Sequence, residues 1–226
     1  MQNFRYLTGL FLVLFLTSSC QTDTNGWAKR IENADIKELT QILDSIYQKD
    51  QYYRQQLAST LATYGDGSEE LQNITEIMQY TDESNLKVVS IILDKKGWLG
   101  INDVGFKANS CLFLVVQHAD FKTQLRYLPM MREAAEKGDV TRRSLALLED
   151  RVALRQGKKQ IYGSQVGRDP KTGASYVLPL EEPDSVDFRR AEMGLGRLED
   201  YLRSFGIEWN VEEYKKQLSE TEGELF

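Results

Sequence analysis

Apolar residues recur every three or four positions along most of the chain, the spacing that lines one face of a helix. In 35–64 the row is Leu39, Ile42, Leu43, Ile46, Tyr53, Leu57 and Leu61, and Gly65-Asp66-Gly67 breaks it. A second helix is predicted over 68–80. Asp82 then stands as the N-cap of a third, which runs through Leu86, Val89, Ile92 and Leu93 and ends at Gly97. The next helix is predicted from about Phe106 to His118. Asp120 caps another, with Leu125 and Leu128 inward and a break near Pro129. Thr141 opens a further helix with Leu145, Leu148 and Val152 on one stripe, and Gly157 closes it.

The texture then changes. Ile161–Val166 and Ala174–Leu178 are β-rich and flank Arg168-Asp169-Pro170-Lys171-Thr172-Gly173, which reads as a hairpin. Helical spacing returns at 186–193, 198–205 and 211–218. There is no repeat of fixed period and no Pro/Ser linker inside 35–226. The predicted class is therefore mainly α: a single helical domain over 35–226 with a small β-hairpin near residues 161–178.

The N-terminus follows another pattern. Arg5 is the only charge in the first twenty residues, and the apolar run Leu7–Leu16 is followed by Thr17-Ser18-Ser19-Cys20. That order predicts a secretory signal peptide over 1–19. The apolar run is half of the roughly 20 residues that a spanning helix needs. Leu16-Thr17-Ser18-Ser19-Cys20 resembles a relaxed bacterial lipobox, with the leucine four before the cysteine instead of three. The resemblance implies lipidation of Cys20, a membrane anchor through that lipid and a place in the bacterial cell envelope, with the outer membrane preferred. Residues 20–34 then read as the lipidated cysteine and a polar tether.

Composition narrows the chemistry. The chain has 226 residues and a formal net charge of −6; 41% of residues are hydrophobic and 27% charged, the balance of a globular protein. One histidine argues against a multi-histidine zinc site, and two cysteines against a four-thiolate cluster, so no metal and no cofactor is expected. The acidic balance gives no footprint for nucleic acid. Cys111 lies in the apolar run Cys111–Val116 and is expected to be a buried free thiol. No Rossmann fingerprint, phosphate loop, G-x-S-x-G elbow or H-E-x-x-H helix occurs.

Several polar positions stand out. Asp50 is four after Ile46 and three before Tyr53, so it interrupts the apolar stripe of its own helix. With Arg54 at i+4 it forms either an ion pair at a helix edge or a carboxylate aimed into a cleft. Gln117-His118 ends an apolar helix. The helix dipole alone accounts for an imidazole there, but histidine is also the side chain suited to proton transfer near neutral pH. Glu149-Asp150-Arg151 reads as a solvated helix face. In Tyr162-Gly163-Ser164-Gln165, glycine permits either a bulge or close approach of a ligand. Asp187 suits the start of its helix, whereas Arg189-Arg190 do not and point to pairing or anion binding.

In order along the chain these elements are Asp50-Gln51 with Arg54, Gly97-Trp98, Gln117-His118-Ala119-Asp120, Leu148-Glu149-Asp150-Arg151, Tyr162-Gly163-Ser164-Gln165 and Val186-Asp187 with Arg189-Arg190. The ordered set resembles an uncharacterised bacterial family, a domain of unknown function, over about 36–206. Two positions depart from it: Leu99 follows Gly97-Trp98 where the family usually has proline, and Ser164 stands where it usually has threonine. The resemblance implies no activity, substrate or cofactor; it implies that the polar elements share one site.

The expectation is an envelope protein that binds a ligand or protein partner. The alternatives are a metal-independent hydrolase or transferase with His118 and Asp50 as acid/base groups, and a structural lipoprotein without a small-molecule site. Arg54, Gln117, Arg151, Tyr162, Gln165 and Arg190 are the expected ligand-binding residues. His118 and Asp50 are expected in one pocket, together with at least one of Arg151, Tyr162 and Gln165.

Overall fold

A computed structural model describes residues 24–169 and 171–223, with side chains to residue 218. The signal segment and Cys20 lie outside the described residues. The fold is mainly helical with one small antiparallel hairpin, as the periodicity predicts.

After a short first helix, α1 (Thr24–Asn33), come two long ones, α2 (Ile36–Tyr64) and α3 (Glu69–Lys96). Asp35 caps α2 by accepting from Glu38 N at 2.8 Å, and Ser68 caps α3 by accepting from Leu71 N at 3.2 Å. They pack antiparallel to each other, and α4 (Ile101–His118) packs against both. Gly105, at φ 79° and ψ 166°, breaks α4 near its start, so the regular helix that ends at His118 begins at Phe106. A second helical pair, α5 (Phe121–Lys137) and α6 (Arg142–Arg155), covers the other side of α4. The main core lies between the pairs, around Leu43, Val89, Ile92, Leu112, Val116, Met131 and Leu148. Cys111 is in it, 1% exposed and unpaired, and burial pushes its thiol well above the usual range.

The buried residues of α2 end at Asp50, and those of α3 begin at Asn85. Beyond that point the two helices run on as an arm in which Tyr53, Leu57 and Leu61 are half-buried.

The C-terminal third has its own smaller core of Leu180, Val186, Leu198, Leu202 and Tyr214. It contains β1 (Val166–Arg168), β2 (Ser175–Val177), α7 (Val186–Glu192), α8 (Leu198–Arg203) and α9 (Val211–Gly223). The hairpin register pairs Val166 with Val177 and Arg168 with Ser175.

Five expectations need correction. Residues 24–33, read as a polar tether, form α1 (Thr24–Asn33), whose Ile31 is fully buried; Trp27 packs against the same core. The helices predicted over 68–80 and from Asp82 are one helix, and Asp82 lies inside it. Pro129 does not break α5. Leu125, four residues earlier, is 38% exposed, so the missing bond falls on a turn that faces solvent. The same exposure overturns Leu125 as an inward residue. Strand is confined to three residues on each side of the hairpin, which leaves Ile161–Gln165 as loop.

Candidate functional site

The sequence reading places Asp50 on an apolar stripe, and burial agrees: Asp50 is 3% exposed beside Ile42, Leu43 and Ile46. A buried carboxylate needs partners, and it has three. Gln51 Nε2 donates to Oδ2 at 2.7 Å, and Arg54 Nη2 to Oδ1 at 3.1 Å. The His118 Nδ1 atom, at the end of α4, lies 3.5 Å from Oδ1. That is ion-pair range but long for a hydrogen bond, and Nδ1 is buried without a hydrogen-bond partner. Burial pushes the Asp50 carboxyl up, but His118 and Arg54 together outweigh it and hold the pKa at about 2.

Arg54 also reaches across to α3. Its Nη2 donates to both oxygens of Asp82 at 2.9 Å. Asp82 shifts the other way: burial raises its pKa, Arg54 lowers it, and the neighbouring Asp50 charge raises it again. One guanidinium thus stands between two carboxyls whose pKa values are driven apart.

The His118 side chain is 19% exposed, and because Nδ1 is buried the exposed part is the remainder of the ring. That part borders a pocket of about 220 Å³ lined by Asp82, Glu83, Leu86, Val115, Ala119 and Asp120. Asp120 caps α5, as expected, by accepting from Thr123 N at 2.8 Å. Among the described residues, no group of three His, Cys, Asp or Glu side chains is placed to hold a metal.

His118 and Asp50 therefore meet, with Arg54, but Asp50 sits behind the imidazole and does not line the pocket. Neither does Arg151, Tyr162 or Gln165. Gln117 points the other way, 3% exposed, its Nε2 3.5 Å from Leu147 O and its Oε1 without a partner. Arg151 is half-buried on α6 and its Nε has no hydrogen-bond partner. Burial lowers its pKa first, then the like charges of Arg155 and Arg54.

Tyr162, Gln165 and Arg190 belong to a second polar assembly, which corrects the expectation of a single shared site. Its centre is Asp150, read as part of a solvated face but fully buried. Asp150 Oδ1 accepts from Ile161 N at 2.7 Å and Tyr162 N at 2.9 Å, and Oδ2 accepts from Ser164 N at 2.9 Å. Gly163, at φ +67°, turns the chain so that these amides converge, and a Cβ there would stand 2.9 Å from Leu198 Cδ1. Arg190, 2% exposed, donates to Tyr162 O and Gly196 O and lies over the Tyr201 ring. Arg189 holds Ile161 O and Glu181 O, and Asp187 accepts from Leu198 N. Tyr162 Oη donates to Glu149, and burial and then that carboxylate push its pKa up to about 12. Gln165 Nε2 donates to Ser164 Oγ. These groups fasten the smaller core to α6.

Asp82 is the site residue that the sequence reading missed, and its signal was present. It continues the row Leu71, Ile74, Met78, then Asn85 and Val89, and so interrupts an apolar stripe just as Asp50 does.

One protein family, described as a family of unknown function (DUF6624), matches residues 37–211. No curated protein and no solved structure matches the chain.

Proposed function

The chain belongs to this family of unknown function, and we propose that it is a lipid-anchored protein of the bacterial cell envelope that binds a small ligand in the His118 pocket. The observation that carries the binding reading is the orientation of His118. Its buried edge faces an ionised carboxylate, which leaves the rest of the ring fixed toward a concave surface with apolar walls at Leu86 and Val115. A few converging polar groups on a partly apolar cavity are the usual make-up of a small-molecule site.

The chain has one histidine, so its imidazole gives one set of ring signals in NMR. A screen of polar fragments is expected to yield molecules that shift those signals in the wild type. Their affinity should fall about tenfold or more in His118→Ala. Fragments that bind without moving the ring, and with equal affinity for the variant, would refute the pocket as the ligand site.

A second reading, acid/base catalysis, is favoured by the opposed shifts of Asp50 and Asp82. Carboxyls driven apart in pKa beside an imidazole are a frequent basis for dividing acid and base roles. Turnover of an envelope substrate by the wild type and not by His118→Ala would select it.

The anchor rests on the apolar run and Cys20. Full-length protein expressed in a bacterium should incorporate labelled fatty acid and partition with membranes, and Cys20→Ser should abolish both. Equal labelling of the two proteins would remove the lipid anchor from the proposal.

A further inference from the structure

The two nitrogens of His118 have different surroundings. Nδ1 is shielded from solvent and faces Asp50 Oδ1, 3.5 Å away. Against the effect of burial, His118 and Arg54 keep the Asp50 carboxyl ionised, and Gln51 Nε2 donates to its other oxygen. An ionised carboxylate only accepts hydrogen bonds. A bare lone pair on Nδ1 would set acceptor against acceptor there, whereas a proton on Nδ1 sets donor against acceptor. Nε2 has no hydrogen-bond partner among the described residues and is not shielded from solvent, and the exposed part of the ring borders the pocket. With Nδ1 carrying the proton of the neutral ring, Nε2 presents a lone pair.

The rest of the lining has the same polarity. Its other polar side chains are Asp82, Glu83 and Asp120, all carboxyls. Arg54 binds Asp82 and Lys122 acts on Asp120, but neither cation lines the pocket. Leu86, Val115 and Ala119 supply the apolar wall. The side chains around the pocket therefore accept hydrogen bonds, and the donors come from what it holds.

We propose that Asp50 fixes His118 in the Nδ1–H tautomer, and that the ligand meets Nε2 with an N–H donor of a positively charged amine carried on an apolar stem. The ligand class rests on the His118 pocket being the binding site. An ammonium group has three donors and no acceptor, the complement of a lone pair flanked by carboxylates. Its stem lies against Leu86 and Val115. An oxyanion in the same place would face three carboxyls and a lone pair. Asp50 is a positioning residue: it acts through His118 and does not touch the ligand.

Nitrogen-15 NMR of the single imidazole reads the tautomer directly, at the alkaline plateau of its titration, where the ring is neutral. The wild type should carry its proton on Nδ1; a proton on Nε2 overturns the proposal. In Asp50→Asn, Gln51 keeps the oxygen of the new amide, whose NH2 group then faces Nδ1, so the proton should move to Nε2. A ring that keeps Nδ1–H in this variant overturns Asp50 as its positioning residue. The ligand class is tested with n-butylammonium, 1-butanol and butyrate, which share a stem and differ in charge, each titrated against the ring signals. Butylammonium should shift the ring saturably, butanol roughly three- to tenfold more weakly, and butyrate not at all. Glu83→Gln combined with Asp120→Asn removes two charges while asparagine still caps α5, so butylammonium affinity should fall roughly three- to tenfold with the melting temperature unchanged. Unchanged affinity overturns the amine; should the double variant fail to fold, Glu83→Gln alone decides in the same way. Glu76→Gln removes an exposed carboxylate of the same helix outside the pocket and should leave binding unchanged. Equal binding of butanol and butylammonium, or tighter binding of butyrate, overturns the amine and leaves the pocket. If none of the three moves the ring while other fragments do, the amine is excluded and the pocket stands. If nothing moves it, both fall.

Discussion

Asp150→Ala is expected to cost about 4 kcal/mol of stability, because each buried donor left without an acceptor costs roughly 1–3 kcal/mol. Three amides, those of Ile161, Tyr162 and Ser164, lose their acceptor together, at a carboxylate that is fully buried. The full sum is not reached, since burial raises the Asp150 pKa and part of the native interaction is spent on holding a charge out of water. Asp150→Asn should fall between. Its amide oxygen can still serve Ile161 and Tyr162, but its NH2 group then meets Ser164 N–H, donor against donor. The measurement is the urea midpoint of unfolding, with limited proteolysis within 161–178 as the local readout. A loss below about 1 kcal/mol for alanine would mean that the loop is held by its other ties, Arg189 and Arg190.

Asp50→Asn is expected to lower stability by about 2 kcal/mol at neutral pH and by almost nothing at pH 2. The sign follows from the direction of the shift. The folded carboxyl titrates near 2 against an ordinary 3.8, so the stabilisation is fully present above about pH 4 and is lost as pH falls through 2. Acid unfolding of the wild type does not isolate this effect, because the raised pKa of Asp82 works in the opposite direction in the adjoining range above 3.8. The difference between wild type and variant does isolate it. Urea midpoints of both proteins at several values between pH 7 and pH 2 should converge as the pH falls. A difference that stays constant down to pH 2 would show that Asp50 acts through shape and not through its charge.

Much of the helical frame was legible because an amphipathic helix records its buried face in its spacing. Leu39, Ile42, Leu43 and Ile46 declare α2, and Leu145, Leu148 and Val152 declare α6. The errors arose where one local signal outweighed the longer period. Asp82 looked like a cap because Thr81 and Asp82 are poor helix formers, yet the row from Leu71 to Ile92 runs through them without a change of phase. Helix α1 hid behind its polar composition, with Trp27 and Ile31 as the only apolar pair that faces inward. The Asp50–His118 meeting was legible from two inward polar positions in need of partners. The division of the other polar residues between two assemblies was not, since Asp150 satisfies backbone amides 11 to 14 residues away through the positive φ at Gly163. Backbone acceptors and donors leave no mark on side-chain spacing.

The arm beyond Asp50 and Asn85 divides the domain into two regimes of local unfolding. Its amides are held by helices that bury only half of one face, so opening there exposes little apolar surface and carries a small free-energy cost. Amides near Leu43, Ile92 and Leu112 exchange their hydrogens only when the whole core opens. The contact of Arg54 with Asp82 ties the two arm helices at the boundary between these regimes, and Arg54 also grips the carboxylate behind His118. Fraying that travels down the arm therefore meets a polar fastening at the residue that grips both carboxylates, Asp50 and Asp82.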